Sequence, residues 1–473
     1  MMRDKYDVII IGAGPAGIFT AMELTKNKEN TSILIVEKGK TISQRKCPRG
    51  DSGKCLGCYP CSITSGFAGA GTFSDGKLTL TPEVGGWLPE YIGEEESKKL
   101  IKYVDDIYLQ FGADSKVYGD DSEEVNRIKY EAQKYNIELV PTPIRHLGTE
   151  KTRELYHKLY NYLLSEGVDI ICNKEVENLM VEDNKIKGVA IRDTMNKDGD
   201  KTRLVSSDYV VVAPGREGSQ WLQREMKRLG IPLYQNEVDI GVRVEVPNSV
   251  MDHLTKHLYE SKFVYYSETF ENRVRTFCMN PSGVVSPESY DGKIITVNGH
   301  SYKDDNLKTE NTNFALLVST KFTEPFDDPI SYGKYIASLG NMLSGGVIIQ
   351  RLGDLLKGRR TTYERLKRST TKPTFKGAVP GDLSFVLPHR HLTSIIETLQ
   401  ALDKIAPGLY GRDTLLYGVE AKFYSSRLKV NNTLETEIKG LYAAGDGCGI
   451  TRGIIQASTS GVVIARDIAK KLR

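Results

Sequence analysis

Four cysteines lie within one short segment of the chain, at a spacing that could hold a metal centre. The segment 44–61 reads QRKCPRGDSGKCLGCYPC, and its thiols follow the pattern C-x7-C-x2-C-x2-C: Cys47, Cys55, Cys58 and Cys61. Thiolates separated by two residues can converge on one metal ion or cluster. The spacing leaves three interpretations open: an iron–sulfur cluster such as [4Fe–4S], a structural zinc, or thiols that bind no metal.

A glycine pattern near the N-terminus indicates a phosphate-binding turn. Residues 12–17 read GAGPAG, which fits G-x-G-x-x-G between an apolar strand and a helix. The first glycine permits the tight turn, the second lets the backbone approach a pyrophosphate, and the third lets the helix pack close to the strand. The helix N-terminus offers unpaired N–H groups and a partial positive charge to phosphate. The predicted contacts with the ligand are Gly12, Gly14, Pro15, Ala16 and Gly17.

A carboxylate follows the next apolar run, at the place where a ribose is expected. Glu37 ends the run from Ile33 to Val36 and lies twenty residues after Gly17. A carboxylate at that distance accepts hydrogen bonds from a ribose 2′-OH. It also disfavours a 2′-phosphate, so the pattern predicts FAD or NAD rather than NADP. The adjacent Lys38 is included among the predicted cofactor contacts.

A second glycine-rich segment, residues 65–81, follows the cysteines and reads SGFAGAGTFSDGKLTLT. Its glycines leave the backbone bare for close approach to a ligand. Because the segment follows the ribose carboxylate closely, we expect it to form a second wall of the dinucleotide site, with Gly69 and Gly71 in contact with the ligand. The alternative is a glycine-rich loop without a ligand.

Side chains that could transfer a proton are concentrated in the second half of the chain. The sequence contains seven histidines, and His389 and His391 flank a single arginine. Histidine is the usual general acid near neutral pH, so these two residues and His300 are candidate proton donors. Arg452, directly before the last helix, could meet an anionic substrate or the ring of a bound flavin. The alternative for each residue is a structural or solvated side chain.

The hydrophobic pattern predicts the scaffold that must position these residues. Short apolar β-branched runs such as Val8–Ile11 suit buried parallel strands. The runs GVRVEVP and KIITVNGHS alternate as in antiparallel strands. Residues 331–358 indicate helices broken by Gly345-Gly346, and a helix with an apolar stripe closes the chain.

Length and composition indicate a globular protein of several domains. The chain has 473 residues, 39% of them hydrophobic and 26% charged, and a net charge of +3. This small net charge gives no reason to expect nucleic acid or an anionic membrane as a partner. No apolar stretch reaches the length of a transmembrane segment. The start, MMRDKYD, runs directly into a core strand, which predicts a cytoplasmic location without a signal peptide.

Taken together, these segments resemble the two-domain FAD-dependent oxidoreductases of the glutathione-reductase-like fold. In that superfamily the glycine pattern and its carboxylate hold the ADP half of FAD. The resemblance implies that a strand at 173–176 places its backbone on adenine, and that a C-terminal Gly-Asp pair places a carboxylate on ribitol. The final helix then points its positive end at the flavin N1–O2 edge. The resemblance adds to the predicted FAD site Val176, Ala213, Gly215, Gly445, Asp446, Gly453 and Ile454.

The predicted fold class is therefore α/β, with a Rossmann-like FAD-binding domain built from both chain ends. Residues 1–215, including the cysteine-rich loop 44–61, and residues 376–473 form this domain. Residues 216–375 form an inserted α+β substrate domain that contains an antiparallel sheet.

A narrower resemblance concerns the runs GFAGAGTFSDGKLT, CMNPSGVV, VNGHS and GITRGIIQASTSG. They are similar to a family of FAD-dependent, NAD-utilising dehydrogenases, related to flavoproteins that reduce carbon–carbon double bonds. This implies an oxidoreductase acting on a small organic substrate, with a C–C/C=C redox step by hydride transfer through flavin N5. One dinucleotide fingerprint is visible, so NAD(P)H would bind as a transient electron donor.

Two other functions remain as alternatives to this dehydrogenase. The first is a flavin electron-transfer protein that relays electrons to a redox protein through a cysteine-ligated iron–sulfur centre. The second is an FAD-dependent RNA-modifying or RNA-binding protein, which the small net charge disfavours.

Overall fold

The computed structural model describes residues 2–26, 31–48, 58–73, 76–194, 202–234, 236–290, 294–322, 328–423 and 425–473. The strands in these ranges are β1 (Val8–Ile11), β2 (Ile33–Val36), β3 (Lys77–Thr79), β4 (Glu138–Leu139), β5 (Ile144–His146), β6 (Asp169–Ile171), β7 (Lys174–Glu182), β8 (Lys185–Asp193), β9 (Arg203–Ser206), β10 (Tyr209–Val212), β11 (Leu233–Tyr234), β12 (Val238–Pro247), β13 (Phe263–Tyr266), β14 (Arg273–Asn280), β15 (Val284–Tyr290), β16 (Ile294–His300), β17 (Asn311–Thr320), β18 (Ile348–Arg351), β19 (Val379–Pro380), β20 (Leu415–Phe423), β21 (Arg427–Leu428) and β22 (Leu441–Ala443).

The α-helices in the same ranges are α1 (Pro15–Thr25), α2 (Leu88–Ile92), α3 (Glu94–Gln110), α4 (Ser122–Gln133), α5 (Thr149–Ser165), α6 (Ser219–Arg228), α7 (Asn248–Leu258), α8 (Pro329–Ser344), α9 (Leu352–Leu355), α10 (Tyr363–Lys367), α11 (His389–Leu402) and α12 (Ile454–Lys471). Among the helices of the described ranges, none combines the length and the apolar character that crossing a membrane requires.

The chain divides into two compact units. The first comprises Met1–Lys116, Arg145–Asn236 and Tyr424–Arg473, and the second comprises Val117–Ile144 and Glu237–Phe423. These bounds differ from the predicted domains, and strand pairing explains the difference. β19 and β20 are hydrogen-bonded within the sheet of the second unit. Residues 376–423 therefore belong to the second unit. β4 pairs with β13 in the same sheet, and it brings residues 117–144 into the second unit.

A parallel sheet forms the centre of the first unit, in the order β22-β10-β1-β2-β6. Ile9 of β1 lies opposite Val210 on one side and Leu34 on the other. All four β1 residues are buried, as expected for a parallel strand covered on both faces. β22 pairs with β10, so both ends of the chain contribute to one sheet. The predicted α/β class is confirmed.

The helices α1 and α12 pack closely against each other in this unit. A Cβ atom at Gly461 would lie 2.2 Å from the Ala16 oxygen, and the Thr20 hydroxyl donates to the Gly461 oxygen at 3.3 Å. The absence of a side chain at Gly461 therefore lets the two helix backbones approach. This packing joins the first helix of the chain to the last.

A mostly antiparallel sheet forms the second unit, in the order β19-β18-β20-β12-β17-β14-β13-β4. The predicted antiparallel strands are thus confirmed, but residues 331–358 are only partly helical. α8 ends at Ser344 because Gly345 adopts a left-handed backbone conformation, with φ of 67°. Residues 348–351 then form β18, paired with β20, so the prediction of a helix there is wrong. The run VIIQ suits a buried strand as well as it suits a buried helix, and its pairing with β20 makes it a strand.

A fully buried ion pair lies within this sheet. Both side chains of the Arg243–Glu420 pair have an exposure of 0%, and the guanidinium donates to the two carboxylate oxygens at 2.7 and 2.9 Å. Arg243 also donates to the Asn313 side chain at 2.8 Å, and Lys422 lies 3.0 Å from the Glu420 carboxylate. The neighbouring Glu420 raises the pKa of Arg243 above its ordinary value, in spite of the opposing effect of burial. The pair therefore stays charged in the folded protein.

We expect Arg243→Met to lower the free energy of unfolding by about 3–5 kcal/mol, because it leaves a buried carboxylate without its main partner. The double variant Arg243→Met/Glu420→Leu should recover part of this loss, since the buried carboxylate is gone and Lys422 keeps Glu288 as a partner at 3.5 Å. Denaturation followed by far-ultraviolet circular dichroism measures both changes. Arg203→Met, which removes an exposed ion pair with Asp4, serves as the control and should cost less than about 1 kcal/mol. Equal losses for Arg243→Met and this control would contradict the expectation.

Candidate functional site

The glycine turn between β1 and α1 has the close contacts that its sequence requires. Gly12 has a φ of 100°, and a Cβ atom there would lie 2.2 Å from the Ala213 oxygen. A Cβ atom at Gly17 would lie 2.1 Å from the Gly12 oxygen, which fixes the close packing of helix on strand. At Gly14, the N-cap of α1, a Cβ atom would meet no described atom within 4 Å. The turn is thus crowded at its first and third glycines and open at the second, where a pyrophosphate is expected.

Glu37 is buried and accepts three backbone hydrogen bonds. Its Oε2 accepts from the Ala13 amide at 2.9 Å, and its Oε1 accepts from the amides of Gly39 and Gly66 at 2.8 and 2.9 Å. The carboxylate thus joins the glycine turn, the end of β2 and the second glycine-rich segment. A carboxylate has about four acceptor positions, so roughly one remains for a ribose hydroxyl.

Arg45 donates five hydrogen bonds to the loop 58–73, three of them within the second glycine-rich segment. Its guanidinium is fully buried, and the distances to its acceptors run from 2.6 to 3.0 Å. The acceptors are the carbonyl oxygens of Ser62, Ile63, Phe67 and Gly69 and the hydroxyl of Thr72. Burial lowers the pKa of Arg45 to about 10, while the charge of Glu37 opposes this shift. The group is therefore still protonated at neutral pH, and each of its three nitrogens donates to the loop.

The glycine-rich segment lies against the N-terminus of α1. The Ala68 amide donates to the Ala13 oxygen at 2.7 Å, and a Cβ atom at Gly69 would lie 3.3 Å from the Gly14 Cα. A Cβ atom at Gly71 would lie 3.4 Å from the Tyr156 hydroxyl. The structure therefore brings Gly69 and Gly71 to the same turn as the fingerprint.

The C-terminal Gly-Asp pair meets the same region. A Cβ atom at Gly445 would lie 3.2 Å from the Ala16 Cβ, and one at Gly447 would lie 2.3 Å from the Gly215 oxygen. The Asp446 Oδ1 accepts from the Thr451 hydroxyl at 2.7 Å and from the Gly453 amide at 3.2 Å. Burial raises the pKa of Asp446 above its ordinary value. These contacts connect the C-terminal turn to the start of α12.

Gln456, which the sequence analysis did not single out, lies in the first turn of α12. Its side-chain amide donates to the carbonyl oxygens of residues 79, 81 and 84 at 3.0 to 3.2 Å. Its Oε1 is buried and meets no hydrogen-bond partner among the described residues. A Cβ atom at Gly453 would lie 2.9 Å from this Oε1, so the free acceptor sits at the helix N-terminus. The sequence signal that could have identified this residue is a glutamine in the first turn of the last helix.

The remaining predicted cofactor residues also belong to the first unit. Lys38 directs its ammonium towards the Glu217 carbonyl oxygen, at 3.4 Å. Val176 is buried in β7 opposite Ile191, next to an irregularity in the strand pairing. Ala213 follows β10 directly, and its amide donates to the Ile11 oxygen at 2.8 Å. Ile454 is the first residue of α12.

The candidate proton donors occupy different parts of the chain. His389, His391 and His300 belong to the second unit, whereas Arg452 belongs to the first. His389 is exposed, with its ring edge-on to Phe270 at 5.9 Å between centroids. His300 is half-buried at the end of β16. The Arg452 guanidinium lies 5.5 Å from the centre of the Trp87 ring.

His391 differs from the other two candidate histidines because it is buried. Its Nε2 lies 2.9 Å from the Thr320 hydroxyl, and burial lowers its pKa to about 4. The ring is therefore neutral near pH 7. Its role as a proton donor stays a prediction, as it does for the other candidates.

The cysteine loop is described only in part. Cys47 and Cys61 are half-buried and Cys58 is exposed, while Cys55 lies outside the described residues. Within the described ranges, no group of three or more histidine, cysteine or acidic side chains could hold a metal ion. The predicted iron–sulfur or zinc centre stays a prediction.

Two family models match the chain. One is described as an FAD binding domain and matches residues 128–232. The other is described as an FAD-dependent protein, C-terminal domain-like, and matches residues 237–423. The second match coincides with the larger segment of the second unit.

The similar curated proteins include one that aligns along almost the whole chain. An uncharacterized protein from Clostridium beijerinckii is 25% identical over 488 aligned residues, covering 98% of this chain and 80% of that protein. The digeranylgeranylglycerophospholipid reductase of Methanosarcina mazei is 33% identical over 102 residues, which are 20% of this chain and 25% of that protein.

Solved structures with a similar fold include two that align over nearly the full chain. The L-proline dehydrogenase from P. horikoshii has a TM-score of 0.41 and 15% identity, and covers 99% of this chain and 95% of its own. The glycine oxidase from Geobacillus kaustophilus has a TM-score of 0.39 and 12% identity, with coverage of 99% and 95%.

The glycine turn, its carboxylate and the two family matches define an FAD-dependent protein. The residues fit the cofactor, because the turn is open at Gly14 and a buried acceptor is free at Gln456. FAD supplies the redox chemistry, and the protein supplies its binding and electrostatics. The prediction of FAD is confirmed.

We expect Glu37→Gln to destabilise the protein and to weaken FAD binding. An amide keeps the shape of the carboxylate but has one acceptor oxygen instead of two, so at least one buried N–H loses its partner at a cost of about 1–3 kcal/mol. Thermal unfolding of the apoprotein measures the structural part, and titration with FAD measures the binding part. Glu182→Gln, at an exposed position of β7, is the matched control. Wild-type unfolding together with full flavin content would contradict the assigned role.

Arg45→Met should release the segment 58–73, because five hydrogen bonds to one guanidinium are lost at once. The buried carbonyl groups left without partners would together cost at least about 3 kcal/mol. Limited proteolysis should then cut this segment, and the purified protein should lose flavin absorbance. Lys40→Met changes an exposed cation beside the same loop and should leave both measurements unchanged. Resistance to proteolysis equal to that of the wild type would show that Arg45 does not order the loop.

Proposed function

We propose that the protein reduces or oxidises a carbon–carbon bond of a small organic substrate, using FAD as its redox cofactor. The observation that carries this proposal is the convergence of three segments in the first unit: the glycine turn, the segment held by Arg45 and the C-terminal Gly-Asp turn. Their backbone contacts unite the N-terminus of α1 with the region before α12. This arrangement supports a cofactor bound in the manner of the glutathione-reductase-like superfamily.

The proposed binding roles follow from the contacts of each residue. The N-terminus of α1, open at Gly14, would bind the pyrophosphate. The remaining acceptor position of Glu37 would bind a ribose hydroxyl, and Asp446 would lie on the ribitol chain. The N-terminus of α12 would stabilise negative charge on the pyrimidine edge of the ring. The free Oε1 of Gln456 is an acceptor that suits the N–H group of that edge.

A carbon–carbon redox step also needs a proton for the carbon that does not receive the hydride. His391 is poorly suited to supply it, because its neutral ring has a pKa of about 4. We therefore assign the proton to His300 or His389. The role of Arg452 would be to hold an anionic group of the substrate near α12. NAD(P)H is the proposed electron donor, binding without a fingerprint of its own.

The Methanosarcina mazei relative supports the choice of reaction. Its printed name describes a reductase that acts on a digeranylgeranylglycerophospholipid, and a geranylgeranyl chain contains carbon–carbon double bonds. The alignment covers only a quarter of that protein, so the support extends to the type of reaction and not to the substrate.

The experiment that tests the proposal examines the electron donor and the electron acceptor in separate steps. We expect anaerobic mixing with NADH or NADPH to bleach the flavin absorbance, and addition of an alkene conjugated to a carbonyl or carboxylate to restore it. The variants His300→Gln and His389→Gln should then be compared. Substitution of the residue that supplies the proton should slow reoxidation of the flavin by the alkene about 10²–10⁴-fold, without changing its reduction by NADH or NADPH. Restoration by ferricyanide but by no alkene would contradict the proposed reaction and favour electron transfer.

A further inference from the structure

Exposed apolar side chains are concentrated in one part of the second unit. Among the described residues, large hydrophobic side chains that are exposed include six between positions 335 and 385. Their exposures run from 43% to 78%, and they are Tyr335, Met342, Leu343, Leu356, Tyr363 and Phe385. Contiguous exposed apolar surface usually marks a binding site, whereas single exposed residues need no explanation.

The helix α8 is apolar on both of its sides. Gly333, Ile336, Ala337 and Gly340 face the sheet and are buried. Tyr335, Leu339, Met342 and Leu343 recur at the spacing i, i+4, i+7 and i+8, which places them together on one helix face. Three of these four side chains are more than half exposed: Tyr335, Met342 and Leu343. The outer face of an ordinary surface helix is polar, so this face lacks a partner within the described part of the chain.

The segment that follows α9 is strongly basic. Residues 357–376 read KGRRTTYERLKRSTTKPTFK, with eight lysines and arginines and one glutamate. Within the described residues, the side chains of Lys357, Arg360, Lys367 and Lys376 have no carboxylate partner, and all four residues are exposed. The whole chain has a net charge of only +3, so this segment is far more positive than the chain as a whole.

The buried side chain of Gln350 connects the basic segment to the residues around Phe385, and these residues pack against the sheet-facing side of α8. The Gln350 side chain donates to the Arg359 oxygen at 3.0 Å and accepts from the Leu383 amide at 2.8 Å. A Cβ atom at Gly340 of α8 would lie 3.7 Å from the Val386 side chain. Phe385, 76% exposed, therefore lies in the short segment that touches both parts. We call the outer face of α8, Phe385 and the exposed cations of 357–376 the apolar–basic surface.

We propose that the apolar–basic surface docks the protein on an anionic lipid bilayer. Aliphatic and aromatic side chains beside lysine and arginine are what an interfacial contact requires: the apolar groups enter the boundary of the acyl region, and the cations pair with anionic headgroups. An acidic protein would satisfy the cations, but it would leave the exposed methionine, leucine and phenylalanine without an apolar environment. The combination of charge and apolar exposure therefore selects the lipid surface.

Vesicle sedimentation with the full-length holoprotein tests this proposal. We expect binding to vesicles of phosphatidylcholine mixed with phosphatidylglycerol, weaker binding to phosphatidylcholine alone, and a decrease as salt screens the cations. The variant Lys357→Glu/Arg360→Glu/Lys367→Glu should bind about a hundredfold more weakly or worse, since each cation near an anionic bilayer contributes about 1 kcal/mol, or roughly fivefold. The variant Met342→Ser/Leu343→Ser/Phe385→Ser should lose at least about tenfold.

Matched controls separate the surface from general effects of substitution. Lys99→Glu/Lys151→Glu/Lys227→Glu removes exposed cations elsewhere, and Tyr130→Ser/Leu164→Ser/Leu204→Ser removes exposed apolar groups elsewhere. Both controls should bind vesicles like the wild type, and all variants should retain flavin absorbance as evidence of folding. Equal losses in a control and its matching variant would overturn the proposal.

Three further outcomes would also overturn it. The first is the absence of binding to any vesicle. The second is a stable dimer of the wild type that the serine variant alone dissociates, because a second copy of the chain would then cover the surface. The third is binding to polyglutamate as strong as to vesicles and unchanged in the serine variant, because the surface would then recognise an acidic polypeptide.

Discussion

The cofactor site depends on two buried charges that hold backbone groups and not each other. Glu37 accepts three amides from three segments, and Arg45 donates five hydrogen bonds to one loop. Backbone groups of glycine-rich loops have few side chains with which to pack, so such loops need an external framework. The two charges supply it, and Glu37 lies close enough to offset part of the cost of burying the Arg45 guanidinium.

Much of this site was predictable because its chemistry is local. The glycine turn works within a few residues of sequence, and the structure places Gly12 and Gly17 in the close contacts that a tight turn and close helix packing require. Glu37 and the Gly-Asp pair could be recognised because each follows an apolar run. The partners of Glu37 and Arg45 were not predictable, because they depend on how a loop returns from positions 62–72. Arg45 lies within the cysteine-rich segment, and the functional interpretation of that segment was based on its thiols.

The second unit was less predictable, since long-range pairing defines it. β12 pairs with β17 and β20, strands that lie far away in sequence, so the apolar run 348–351 could not be assigned to a strand from its own pattern. The same pairing moves residues 376–423 out of the predicted FAD-binding domain. The net charge of the whole chain was also misleading, because a value of only +3 did not reveal the basic segment 357–376.

The pairing of β10 with β22 has a consequence for synthesis of the protein. The contact between Gly215 and Gly447 joins positions more than two hundred residues apart, and β22 is an edge strand supplied by the last part of the chain. A ribosome therefore releases the glycine turn and β10 long before their C-terminal partners exist. During that interval one edge of the nascent sheet is open, and contacts of such long range form slowly. The cofactor site can therefore be completed only after the segment that carries Gly445 and Asp446 has been synthesised, so FAD binding reports that synthesis has passed this segment.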